Sequence, residues 1–374
     1  MGELRAVALS GEAGPSARPV HVVMPGDVGD PRSVSGGNNY DLRICRELVA
    51  AGTPVHQRVV GGTWPRPGRA AREELGALLA ELPDGAVALI DGLVACGVPD
   101  VVVPHAGRLR LAVLVHLPLA DETGLAPAEA AELEHLERRT LHAAAAVVVT
   151  SDWAAHEVAA RHGLEAARVH SVLPGTDPAP LARGTDGASR LLCVAALTPR
   201  KGQDLLVDAL GGVRGLPWTC ELTGPLDRAP GFVAEVRRRI AANGLTGRVR
   251  LTGPRQGGEL AAAYDSADLF VLASHTETYG MVLTEALARG IPVLATEAGA
   301  VPRTVGTAPD GSIPGILVPP RDAAALTAAL RGWLEDPGIR SHLTTSARGR
   351  RAKLQGWAES SRQLARVLER LRLE

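Results

Sequence analysis

The strongest constraint on this chain is an alternation of short, continuous apolar runs with helical patterns, sustained over most of its 374 residues. Residues 20–24 form an apolar run ending in Pro25-Gly26, which reads as a buried strand. A loop carrying Ser35-Gly36-Gly37-Asn38-Asn39 follows. Leu42, Cys45, Leu48 and Val49 then recur at helical spacing until Gly52. Further strands are predicted at 55–60, 87–90, 111–115, 146–150 and 169–173, with helices at 127–143 and 152–162. A second series places strands at 191–195, 218–222, 249–251, 269–272, 293–295 and 316–318. Strands that are apolar throughout must be covered on both faces, so each series predicts a doubly wound α/β domain around a parallel sheet.

Length agrees with two domains, because one core rarely extends beyond about 250 residues. The expected division is a flexible tail at 1–19, an N-terminal domain at 20–178, a linker at 179–189, a C-terminal domain at 190–354 and a last helix at 355–374. That helix carries an apolar stripe of Trp357, Leu364, Val367, Leu368 and Leu371, with Arg362, Arg366 and Arg370 beside it. It is expected to pack back toward the N-terminal domain with its arginines solvated.

A formal charge of −1 gives no general attraction to nucleic acid, and the longest apolar run, 143–149, is too short to span a bilayer. Residues 1–19 lack the apolar core of a signal peptide. The four cysteines are far apart and read as buried thiols in a reducing, cytoplasmic setting, neither metal ligands nor a disulfide framework. Contact with a membrane surface is not favoured, and the sequence does not reveal an oligomeric state.

Of the 40 basic residues only two, Lys201 and Lys353, are lysines. Lysine offers a compact charge where arginine offers a planar fork, so a lysine kept in an arginine-rich background suits a tight phosphate site. A second candidate runs from Ser274 to Glu285, where a strand opens through a glycine loop into a helix. Such a helix start presents free N–H groups and a positive dipole end at the carboxyl edge of the sheet, a natural place for phosphate. Glu277 lies in the loop and Glu285 about one and a half turns into the helix. Their carboxylates can accept hydrogen bonds from ribose and sugar hydroxyls.

Residues 277–285, Glu-Thr-Tyr-Gly-Met-Val-Leu-Thr-Glu, match the E-x7-E motif of retaining glycosyltransferases of family 4. The run 286–296, the segment Leu197-Thr198-Pro199-Arg200-Lys201-Gly202 and the segment Leu173-Pro174-Gly175-Thr176-Asp177 also resemble that family. The resemblance implies the GT-B fold, two Rossmann-like doubly wound domains facing across a cleft, with the donor mainly in the C-terminal one. It implies transfer of a hexose-type sugar with retention, from a nucleotide-diphosphate sugar (UDP favoured, GDP possible) to a small-molecule or glycan hydroxyl.

By matched position, Lys201 binds the diphosphate, Glu277 contacts the transferred sugar and Glu285 holds the ribose. Arg200 and the backbone from Tyr279 through Gly280 and Met281 to Val282 join the donor site. Gly36 and Gly37 correspond to a glycine loop over the diphosphate, and His116 to a histidine near the sugar. His116, Lys201 and Glu277 are the catalytic candidates. No metal or other cofactor is expected, since the chain has no D-x-D sequence and a phosphate leaving group can be stabilised by Lys201 and the helix start.

Two departures stand out. The family commonly carries Arg where this chain has Ala195-Ala196, and Gly299-Ala300-Val301-Pro302-Arg303 replaces a usual Gly-Gly-x-Pro-Glu run. They keep open a non-catalytic nucleotide-sugar or glycan-binding protein; a sugar-nucleotide epimerase shares the fold. A nicotinamide enzyme would need G-x-G-x-x-G after the first strand, which 25–29 does not supply.

Overall fold

The computed structural model describes residues 7–9, 18–30 and 35–373, which form two compact units. Unit 1 holds the described residues up to Gly175 together with those from Trp357 onward, and unit 2 is Thr176–Gly356.

Unit 1 is built on β1 (Val7–Leu9), β2 (Val20–Pro25), β3 (Val55–Val60), β4 (Val87–Asp91), β5 (Arg110–Val115), β6 (Ala146–Val149) and β7 (Val169–Ser171). The sheet order is β1-β3-β2-β4-β5-β6-β7. Strands β2 to β7 pair in parallel, and β1 closes one edge antiparallel to β3. The strand β1 lies within the stretch read as a tail. Three residues suffice for it because the edge of β3 supplies the hydrogen-bonding template. The remaining tail positions, 1–6 and 10–17, lie outside the described residues.

Unit 2 is built on β8 (Arg190–Val194), β9 (Thr219–Thr223), β10 (Val249–Gly253), β11 (Leu269–Leu272), β12 (Val293–Thr296) and β13 (Gly315–Val318), all parallel, in the order β10-β9-β8-β11-β12-β13. Helices cover both faces, giving two apolar layers. One gathers Leu206, Leu210, Trp218 and Trp333, and the other Tyr264, Phe270, Leu283 and Leu287. The segment 183–189, expected as a linker, is bound into this unit. Asp268 accepts from Thr185 N–H at 2.7 Å, the Thr185 hydroxyl at 2.6 Å and Arg190 N–H at 3.0 Å. A loop whose backbone donors end on one buried carboxylate is fixed where a free linker would be solvated.

The last helix, Trp357–Leu373, belongs to unit 1 and buries Trp357, Leu364, Val367, Leu368 and Leu371. Trp357 stacks edge-on to Tyr40, and a side chain on Gly175 would collide with its backbone, so the chain re-enters unit 1 through close packing.

In each sheet the strand order reverses at one strand: β2 lies between β3 and β4, and β8 between β9 and β11. Loops leaving the carboxyl ends on either side of such a point diverge and leave a crevice, the usual ligand position in open α/β sheets.

Candidate donor site

The candidate donor residues of unit 2 lie at this topological switch. The loop after β8 ends in a tight turn, Pro199–Lys201, closed by Gly202 with φ of +63°. A Cβ on Gly202 would lie 2.1 Å from the Ala273 carbonyl oxygen, so glycine is required both by backbone conformation and by contact with the loop after β11. That second loop carries Ser274 to Gly280. Its Gly280, at φ +86°, caps the helix Met281–Ala288, whose first amides at Met281 and Val282 have no carbonyl one turn back.

The two loops meet through side chains. Lys201 Nζ donates to Glu277 Oε1 at 2.5 Å, and the Ser274 hydroxyl donates to the same oxygen at 2.7 Å. The Arg200 guanidinium stands 3.8 Å from Glu277 Oε2 and donates to the Thr276 carbonyl at 3.2 Å. Burial works against charge on Glu277, but Lys201, Arg200 and Ser274 outweigh it and hold the carboxyl below the ordinary glutamate range. Burial is the larger influence on Lys201 and draws its ammonium below the ordinary lysine value, against the attraction of Glu277. Arg200 thus supplies a second cation near this carboxylate, in a segment where Ala196 offers none.

Glu285 is held separately. It accepts from the Tyr264 hydroxyl at 2.8 Å, and Arg289 lies 4.6 Å over the Tyr264 ring while donating to the Glu285 carbonyl at 2.8 Å. Burial raises the Glu285 carboxyl, with Tyr264 and Arg289 opposing. Tyr279 contributes backbone here: its ring is buried, its phenol is pushed up to about 12 by that burial, and its carbonyl accepts from Thr304 at 2.7 Å. Gly299 supports Glu277 from below. At φ +60° its Cβ position lies 2.3 Å from the Glu277 carbonyl oxygen, which accepts from Ala300 N–H at 2.9 Å. Arg303 is exposed on the short helix Val301–Val305.

Unit 1 presents a different cluster at its own switch. His116 follows β5, Asp91 ends β4, and Asp41 lies on the buried stripe of the helix Gly36–Ala50 with Ile44, Cys45 and Leu48. His116 Nε2 is 2.8 Å from Asp41 Oδ1 and 3.6 Å from Asp91 Oδ2. Among the described residues this is the group that brings three metal-capable side chains together, but a single proton accounts for the 2.8 Å contact. Sequence reading singled out His116 and missed both aspartates. The available signal was an acidic residue on an otherwise apolar helix stripe.

Gly36 and Gly37 are not a loop. They are the first two residues of a helix, because Ser35 accepts from Asn38 N–H at 2.9 Å and caps it there. Gly37 packs on His116, where a Cβ would lie 3.0 Å from the ring. Residues 31–34, just before, lie outside the described residues. No helix among the described residues is long and apolar enough to cross a membrane.

This architecture is that of the GT-B fold, and the comparisons find the chain similar to glycosyltransferases. Residues 188–336 match the family described as Glycosyl transferases group 1. The chain is 29% identical over 258 residues to the D-inositol 3-phosphate glycosyltransferase of Jonesia denitrificans, covering 63% of this chain and 59% of the relative. It is 28% identical over 219 residues to the lipopolysaccharide core biosynthesis mannosyltransferase LpsB of Rhizobium meliloti, covering 56% and 60%. The chain therefore spans about three fifths of these relatives' length. Among solved structures it resembles sucrose-phosphate synthase from Thermosynechococcus elongatus, with a TM-score of 0.75, 23% identity and coverage of 95% and 99%. It also resembles Anabaena HepE in complex with UDP-glucose, with a TM-score of 0.74, 18% identity and coverage of 94% and 99%.

Proposed function

We propose that this chain is a retaining glycosyltransferase that moves a hexose-type sugar from a nucleotide-diphosphate donor to a small hydroxylated acceptor without a metal ion. The observation that carries the reading is the Lys201–Glu277 pair at the switch point of unit 2, beside the free helix start at Gly280. Departure of a nucleotide diphosphate builds negative charge on the phosphate, and groups already aimed at that position stabilise it without reorganising. A donor phosphate would compete with Glu277 for Lys201, freeing the carboxylate to accept from sugar hydroxyls. Glu285, with its oxygen fixed by Tyr264, is assigned to the ribose, and His116 of unit 1 is assigned a catalytic role.

UDP is the favoured carrier. HepE is described with UDP-glucose, which supports this choice. The relatives named for D-inositol 3-phosphate support a small polyol acceptor over a lipid. One observation favours binding without turnover: Ala196 stands where a second phosphate cation is usual, and Arg200 is already tied to Thr276.

A screen of UDP-, GDP- and dTDP-sugars in EDTA, scoring nucleotide release and thermal stabilisation, separates these readings. Release from one donor that disappears in Glu285→Ala is the expected result. Binding without release, with every acceptor tried, would favour the binder. Failure to bind any donor would sink the proposal.

A further inference from the structure

The unit 1 cluster contains more acid than its surroundings neutralise. Two aspartates, Asp41 at 1% exposure and Asp91 at 4%, are buried around a single imidazole. Among the described residues, the groups facing His116 are Asp41 and the ring of Tyr40 from the helix Gly36–Ala50 and Asp91 from β4, with no lysine or arginine among the charges that these residues place on it. An ionised carboxylate only accepts hydrogen bonds, so the 2.8 Å contact requires a proton on His116 Nε2. The ring's other nitrogen, Nδ1, is then the atom left to gain or lose a proton.

Asp41 Oδ2 is buried, and no donor among the described residues reaches it. Asp91 Oδ1 accepts from Leu93 N–H at 2.7 Å, so that oxygen is satisfied, whereas Oδ2 lies 3.6 Å from His116 Nε2, and the Asp91 and Asp41 carboxyls are hydrogen-bonding neighbours. One proton held by Asp91 and directed to Asp41 satisfies the orphan oxygen and removes the repulsion between two buried carboxylates.

We propose that Asp41 is a positioning residue for His116: it fixes the Nε2–H tautomer so that Nδ1 carries the working proton, while Asp91 serves as a protonated acid that donates to Asp41. Three constraints hold the ring in place. Asp41 fixes one edge, Tyr40 lies edge-to-face at 5.3 Å with its hydroxyl donating to the Val172 carbonyl at 3.2 Å, and Gly37 leaves room for the ring without a side chain. Directions of titration agree with this arrangement. Burial lowers the imidazole's affinity for protons, but its acidic surroundings, Asp41 foremost, outweigh it and raise His116 above the ordinary histidine value. Burial and the neighbouring Asp41 push Asp91 up to about 8. When protonated, His116 donates a hydrogen bond from Nδ1–H, suited to an oxygen that gains negative charge. That consequence for turnover rests on the transferase reading, whereas the proton arrangement does not.

The test is nitrogen-detected NMR of histidine rings in the full chain from pH 5 to 9, with His116 assigned by its loss in His116→Gln. In the wild type, the ring titrates at Nδ1 above the ordinary histidine value. In Asp41→Asn its proton affinity falls about tenfold or more, the range expected when an adjacent opposite charge is removed. In Asp91→Asn, where the amide still donates to Asp41, His116 keeps its tautomer but loses the second inflection near pH 8. Wild-type titration at Nε2, or an unchanged His116 in a folded Asp41→Asn, overturns the proposal. Given a donor that turns over, Asp41→Asn should also move the alkaline limb of the kcat profile, on which His116 loses its Nδ1 proton, to lower pH, and an unmoved limb counts against it. Absence of turnover with every donor defeats the transferase reading alone, because the NMR result still decides this one.

Discussion

The two units present buried carboxylates at the same topological position and neutralise them in opposite ways. In unit 2, Glu277 is matched by Lys201 at 2.5 Å, with Arg200 and Ser274 adding donors, so the carboxylate stays charged. In unit 1, Asp41 and Asp91 share one histidine, and the surplus is removed by holding a proton. A cation-balanced carboxylate can exchange partners with an incoming anion, because its lysine is already charged and in place. A proton-balanced cluster instead responds to pH, and it fixes the orientation of a ring. The fold supplies the crevice twice, and the side chains at each strand end determine what chemistry it holds.

The contrast is most exposed at Lys201. Replacing it with Ala leaves Glu277 buried with the Ser274 hydroxyl at 2.7 Å and the Arg200 guanidinium, its remaining nearby cation, at 3.8 Å. Nucleotide release is expected to fall roughly 100-fold or more, the scale of losing one preorganised donor at a developing charge. Urea unfolding is expected to register a loss of about 3 kcal/mol from the orphaned buried charge. Full turnover in a folded Lys201→Ala would make the pair a structural ion pair and remove the contrast.

Gly299→Ala tests the same site through its backbone. The new Cβ would meet the Glu277 carbonyl at 2.3 Å, in a left-handed conformation. Strain of this kind costs about 1–3 kcal/mol, and relief by moving the Glu277 loop should weaken donor stabilisation in a thermal-shift assay. A variant with wild-type stability and donor response would show that the Glu277 loop is not held from this side.

Opposite charge solutions also predict opposite pH dependences. Glu277 is held below its ordinary value, so its contribution to stability is present above the unfolded glutamate range and is lost as pH falls through the lower folded value. Asp91 is raised to about 8, so its contribution is present below the unfolded aspartate value, about 4, and is lost as pH rises toward 8. Melting curves at pH 5 and pH 8 should therefore show the wild type losing ground to Asp91→Asn at the higher pH. Parallel curves for the two proteins would mean that Asp91 is already ionised.

Much of this architecture was legible in the residues, because its boundaries carry local signals. The helix Pro127–Ala143 begins with proline at its first position, and Asp152–His162 runs from a Ser151 cap to Gly163 at φ +68°. Strand β11 is four apolar residues that follow Asp268 and give way, one residue on, to Ser274, and its carboxyl end placed Glu277 in a loop. The start at Gly36 was missed because two glycines read as a turn unless the Ser35 cap is given precedence. Asp41 and Asp91 were missed for a deeper reason: their meaning depends on His116, which is 75 residues from Asp41 and meets it only after the sheet has formed. The same holds for Tyr264, whose hydroxyl finds Glu285 across 21 residues.

The smallest effect is expected at an exposed ion pair of unit 1, between the segment 61–69 and the helix start at Pro127. Arg66 pairs there with Glu129 at 2.7 Å and Glu132 at 3.3 Å, and all three side chains are exposed. Solvent screens such pairs, and ordering long side chains offsets the attraction. Arg66→Ala should leave the melting temperature unchanged within measurement, although the pair looks as well formed as Lys201–Glu277. A clear drop would mean that these segments are energetically coupled through Arg66. It would also weaken the premise that burial, rather than separation alone, distinguishes the ion pairs of this protein.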